Sequence, residues 1–237
     1  LAKLLELSDV WQSDPHEQCI RQIDSARIFP RYLREFMRFR NTSNNYGSIA
    51  KWLHWGTAIL FLGSYISVYY RHWFTEDKTP ENWVAIQLHL SIGLTIAAVV
   101  VLRIIWRINN RVPDFEPGTK LEHVAAHAGH RALYAIMIIM PVTGYIGTGV
   151  NTEYFFLWDI PKFENTWLFE YLVRDGLGLT FEEFEKPLDF IHKEILGAWL
   201  VWLLILGHVS AALYHHFIKK DRTLHKMTIE HQPKNVL

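Results

Sequence analysis

One cysteine, Cys19, stands in a chain of 237 residues. A disulfide framework, a cysteine-rich zinc site, a thiolate-held iron–sulfur cluster and a CxxCH haem attachment each need more thiols than that, so none is built within this chain. Charge is scarce as well: Asp, Glu, Lys and Arg make up 20% of the residues, and 24 basic side chains balance 24 acidic ones. A neutral chain carries no electrostatic footprint for nucleic acid. What the sequence has instead is apolar: 50% hydrophobic residues, with 10 Trp, 10 Tyr and 14 Phe, gathered into four runs over 54–70, 84–105, 132–150 and 195–213. Helices of soluble domains average about 11 to 12 residues and seldom need four apolar runs of roughly twenty. A water-soluble monomer is excluded, and the expected fold is an all-α membrane protein, a four-transmembrane-helix bundle.

Aromatic residues flank the first run, with Trp52 and Trp55 at one end and Tyr69, Tyr70 and Trp73 at the other, as at a membrane–water boundary. Lys and Arg then set the orientation. Residues 21–40 hold six Arg, residues 103–131 four Arg and one Lys, and the tail from 217 four Lys and one Arg. These segments are expected on one side, the cytoplasmic one, with both termini inside. Residues 71–83 carry only Arg71 and Lys78, and residues 149–194 carry four basic against ten acidic side chains, so both belong opposite. A bacterial plasma membrane is the expected location, with the mitochondrial inner membrane as the alternative. Pro141 falls in the third run, but no run pairs opposed charges along a polar path and no broken-helix repeat is present, which argues against a transporter or channel.

Three parts are expected: an amphipathic N-terminal extension over 1–46, a four-helix domain over 47–228 and a tail over 229–237. The extension is mixed in charge without an uninterrupted apolar core, unlike a signal peptide. Its stretch RIFPRYLREFMRFR sets Phe29, Leu33, Phe36 and Met37 near one face, as in a helix lying on a membrane or packed on a partner. The loop 151–191 alternates aromatics with acids and is too long for a plain connection, so a folded cap is expected there. Its acidity serves either solvation or the docking of a cationic partner such as a soluble cytochrome.

Thirteen histidines are the outlier. An imidazole within hydrocarbon is costly unless it works, and bis-histidine ligation of haem is one such task. His54 and His208 share the basic side of runs one and four. His89 and His192 share the acidic side of runs two and four. The sixteen residues from His192 to His208 rise about 24 Å on an ideal helix, enough to stack two haem b groups across the membrane. The angle fits less well, since sixteen steps of 100° leave the two about 160° apart. The haems then lie on different helix faces, or the segment HKEILGAW begins irregularly. His130 is a candidate substitute ligand, propionate contact or quinone contact. His215, seven residues after His208 on nearly the same face, suits a proton acceptor beside a quinone. Arg103 and Arg107 are candidate propionate contacts or topology anchors.

The segments KWLHWG, QLHLSIG followed by LRIIWR, AHAGHRALY with PVTG, and LGHVSAALYHHFIKKDRTLHKM occur in that order over roughly 48–228. In them the chain resembles the bacterial cytochrome b561 family, four-helix dihaem membrane cytochromes that include superoxide oxidase. The resemblance implies that His54, His89, His192 and His208 ligate two b haems. It also implies ubiquinone, or another quinone, near His215, with His130 as a neighbour. The family usually spaces its span-four ligands by fourteen residues, where this chain has sixteen. The expected function is electron relay between a redox partner and the quinone pool. Alternatives are a superoxide:quinone oxidoreductase acting alone, and an anchoring or structural subunit bound to other respiratory-complex subunits.

Overall fold

The computed structural model describes residues 39–228; most of the 1–46 extension, including residues 27–38 of the arginine-rich stretch, lies outside the described residues. The chain divides into two units after Arg40. The second unit, beginning at Asn41, is built from α1 (Ser48–Phe74), α2 (Pro80–Asn109), α3 (Lys120–Ile146), a hairpin of β1 (Thr152–Tyr154) and β2 (Trp158–Ile160), a single turn α4 (Trp167–Phe169) and a long helix α5 (Phe181–Lys219).

Local chemistry sets the helix starts. Thr79 caps α2, with Pro80 at the first helical position, where a missing N–H costs nothing. Thr119 with Glu122 and Thr180 with Glu183 form reciprocal capping boxes at α3 and α5. α3 continues through Pro141 and ends at Ile146, four residues short of the apolar run, where Gly147 closes it with bonds to the Thr143 and Tyr145 carbonyls.

Polar side chains are buried among the helices while large apolar ones face outward. Thr57, Ser67, Gln87, Ser91 and Thr143 are buried, whereas Ile59, Leu62 and Ile66 of α1, Val101 and Ile105 of α2, and Leu203 and Leu206 of α5 are exposed. A water-soluble protein does not expose such continuous apolar surface, and a lipid-facing one does. α2 and α5 are long and apolar enough to cross a membrane. α1 and α3, of 27 residues each, are about 40 Å long but diluted by polar and titratable side chains.

Tyr65, Ile136, Leu196 and Val201 form the core where α1, α3 and α5 meet; Ile96, Val100 and Met137 join α2 to α3. The loop has its own small core of Phe163, Phe169 and Val173, onto which Tyr145, Phe181 and Phe184 pack. It is thus a folded cap, as its aromatic content predicts. At the opposite end the basic connections are laced together. Asn41 donates to the Arg111 carbonyl (2.8 Å), Lys226 to the Asp114 carbonyl (2.8 Å) and Trp55 to the Met227 carbonyl (2.9 Å).

α5 departs from simple α geometry. Its backbone is α-helical over Phe181–Phe190, π-helical over Ile191–Leu200, α-helical again over Val201–Tyr214 and π-helical over His215–Lys219. The wide turns depend on Gly197, where a Cβ would lie 2.8 Å from the His192 carbonyl oxygen. The Gly197 carbonyl accepts a hydrogen bond from the Tyr65 hydroxyl (2.8 Å), so the altered backbone is satisfied from α1.

Candidate functional site

The π-helical segment resolves the angular mismatch. Turns of 3.0 residues for i→i+3 bonding and 3.6 for i→i+4 extrapolate to about 4.2 for i→i+5, or about 86° per residue. Eight such steps from His192 to Leu200, then eight ordinary ones to His208, leave the two histidines within about 50° of each other. Sixteen residues here turn the helix about as far as fifteen would in pure α geometry. Both imidazoles therefore point into the bundle, one near each end.

Each meets a partner. The ring centroids of His54 and His208 are 6.1 Å apart, and those of His89 and His192 are 6.2 Å apart. Two imidazoles binding one metal ion from opposite sides, with metal–nitrogen bonds of about 2 Å, place their centroids about 6 Å apart. Both pairs fit that requirement. Among the described residues no group of three or more His, Cys, Asp or Glu side chains could hold a metal ion, so a metal seated between either pair would need further ligands from outside the protein, as the macrocycle of a haem provides.

The pair near the loop is held from behind. His89 Nδ1 lies 3.1 Å from the Ser64 carbonyl and 3.1 Å from its hydroxyl; His192 Nδ1 lies 3.1 Å from the Met140 carbonyl and 3.2 Å from the Thr143 hydroxyl. A carbonyl can only accept, so each Nδ1 carries the proton and each Nε2 keeps its lone pair for a metal. The His192 ring rests on α3 at Gly144, where a Cβ would come within 2.8 Å of its Cε1. Larger residues cannot occupy that position without moving the ring.

At the basic end His130 joins the first pair, its ring centroid 5.7 Å from that of His208. No hydrogen bond from another described residue holds His54, His130 or His208. Two cations lie alongside: Arg103 donates to the Leu53 carbonyl (3.4 Å), and the guanidinium groups of Arg103 and Arg107 stand 5.6 and 5.2 Å from the ring centre of Tyr134. Both arginines are thus near the trio, where they can offset the charge of acidic ligand groups.

His215, at the end of α5, pairs with Asp221, Nδ1 to Oδ2, at 2.5 Å. Burial opposes charge on Asp221, but hydrogen bonds from His215 and from the Thr223 hydroxyl and amide outweigh it and hold the carboxyl below the ordinary range. Asp221, Ser64, Thr143 and Tyr134 are not singled out by sequence alone, and Gly144 is marked there only as a small residue that permits close helix packing. For Asp221 the available signal is its position six residues after His215, across the end of a helix; the others are joined to the histidines only by helix packing.

Residues 45–229 match the profile of the prokaryotic cytochrome b561 family. The chain belongs to that family. It is 31% identical over 208 residues to cytochrome b561 homolog 2 of Escherichia coli strain K12, covering 81% of this chain and 95% of that protein. Homolog 1 of the same organism is 24% identical over 192 residues, covering 78% and 97%. A protein of Yersinia pestis described as probable superoxide oxidase CybB is 24% identical over 176 residues, covering 74% and 90%. The chain is accordingly a membrane electron-transfer cytochrome of a haem b-binding bacterial family.

Proposed function

We propose that this cytochrome spans the membrane four times and binds two b haems, His89 with His192 holding one on the loop side and His54 with His208 the other on the basic side. The observation that carries this reading is the two imidazole pairs, at 6.1 and 6.2 Å, disposed near the two ends of one bundle. Each haem, when bound, would supply one-electron chemistry, and being held by two histidines would favour electron transfer over oxygen binding. The chain's residues supply the rest. Ser64, Met140 and Thr143 fix the loop-side tautomers, while Arg103 and Arg107 offset propionate charge at the other end.

The electrons run between a redox partner at the acidic loop side and a quinone at the basic side, with both termini and the basic connections in the cytoplasm. His215, backed by Asp221, holds or accepts a proton beside the quinone, and His130 borders the same region. The ten acids of residues 149–194 favour a cationic partner protein over a small anionic donor. Superoxide remains the specific competing donor because of the similarity to the protein described as probable superoxide oxidase CybB.

Vesicles containing the purified protein, with ferricyanide trapped inside and a membrane-impermeant reductant outside, test the reading. Ferricyanide is expected to be reduced by the native protein and not by His89→Ala or His208→Ala. Equal rates in native and histidine variants would overturn it.

A further inference from the structure

The hairpin between α3 and α5 is docked along α2 by a row of side chains at four-residue spacing. Trp83 Nε1 donates to Glu153 Oε1 (3.2 Å), Gln87 Nε2 donates to the Asn151 carbonyl (3.1 Å) and the Glu153 amide donates to Gln87 Oε1 (2.7 Å). One turn further along, the Phe155 amide donates to Ser91 Oγ (2.9 Å), and after another turn Thr95 Oγ1 meets the Tyr154 hydroxyl (3.0 Å). Gln87 and Ser91 are fully buried by this contact. The edge of β1 that does not pair with β2 therefore finds its hydrogen bonds in α2 side chains rather than in water.

Such an arrangement is what non-helical backbone requires at membrane depth. The tip has the composition for it. Phe155, Phe156, Leu157 and Trp158 carry no charge and are 37%, 48%, 71% and 58% exposed. Phe155 and Phe156 have φ of +46° and +61°, a conformation that water-exposed hairpin turns normally give to Asn or Gly. The charged pair Glu153 and Asp159 lies opposite one another at the mouth, one step before the tip. Charge stops where the apolar tip begins.

We infer that Thr152–Ile160 is a membrane-dipping hairpin, with Glu153 and Asp159 at headgroup level and Phe155 to Trp158 seated among the acyl chains of the loop-side leaflet. The inference rests on the proposed crossing of α2. It gives the loop a task beyond covering the bundle: the hairpin clamps the outer face of α2 across His89 and fixes the rotation that aims that histidine inward.

The test places nitroxide labels on single cysteines in a Cys19→Ser background, in haem-loaded protein reconstituted into phosphatidylethanolamine–phosphatidylglycerol vesicles. Collision with oxygen and with a water-soluble nickel chelate is compared at Phe156→Cys and Leu157→Cys, with Val101→Cys on the apolar face of α2 and Glu182→Cys on exposed α5 as references. The hairpin labels are expected to match Val101→Cys, several-fold richer in oxygen than in nickel collisions. Two hairpin labels matching Glu182→Cys while Val101→Cys reads as lipid would overturn the inference and spare the proposed crossing. A Val101→Cys label that reads as water would overturn both. Retained haem absorbance in each variant separates these outcomes from misfolding.

Discussion

The two ends of the bundle solve the same problem differently. Near the loop, His89 and His192 each have Nδ1 tied to a carbonyl and a hydroxyl, and Gly144 lets α3 approach the His192 ring. Near the basic end, three histidines share a space beside Arg103 and Arg107, with no hydrogen bond from the described residues to fix any ring. One end is preorganised for a single arrangement, and the other leaves room for a ligand to be chosen or a proton to move. Rigidity sits where only electrons need pass, and adaptability where a quinone is proposed to exchange protons.

Breaking the rigid end should have the largest effect. Gly197→Val is expected to tighten the π-helical turns, rotate His192 away from His89 and abolish the loop-side haem while leaving the basic-side one. Haem per chain should fall by about half, with retained helical circular dichroism as the folding control. Gly144→Val displaces the His192 ring more locally, and a roughly 10- to 100-fold loss of haem affinity at that end is the scale expected for disturbed support of a ligand. The adaptable end should respond less to loss of one imidazole. His54→Ala is expected to retain part of the basic-side haem through His130, and the double variant with His130→Ala none; equal loss in the single and double variants would remove His130 from the comparison.

Asp221→Asn is expected to slow quinone turnover several-fold without changing haem content, measured against Asp221→Glu as the conservative variant. The smallest effect is anchoring of the basic end by Glu122. Lys219, 2.8 Å away, and the Thr119 amide hold its carboxyl down from 4.5 to about 2. A carboxyl depressed in the folded state stabilises it above the unfolded value, and that contribution is lost as pH falls from about 4.5 through about 2. Thermal midpoints of native protein and Glu122→Gln should therefore differ at pH 6 and converge toward pH 2.

Much of this is legible in the chain. Run lengths mark all four helices, with aromatic flanks at the first, and the side on which each histidine falls is enough to pair His54 with His208 and His89 with His192. The angle is not legible, because hydropathy does not distinguish α from π turns. HKEILGAW hints at irregularity, but the role of Gly197 depends on a carbonyl five residues earlier. Ser64, Met140 and Thr143 are invisible for another reason: they reach the histidines from other helices, and no local spacing encodes that. The hairpin is legible only as part of a folded cap, since its partners Gln87, Ser91 and Thr95 look like ordinary polar residues within an apolar run.

The central claim is that one chain binds two haems despite its sixteen-residue spacing, because π-helical turns restore the facing of His192. Pyridine haemochrome quantification per purified chain, paired with reduced-minus-oxidised spectra, tests it most directly. Two b haems per chain, falling to one in His192→Ala with the His54–His208 spectrum preserved, is the predicted result. One haem per native chain, unchanged in His192→Ala, would contradict it.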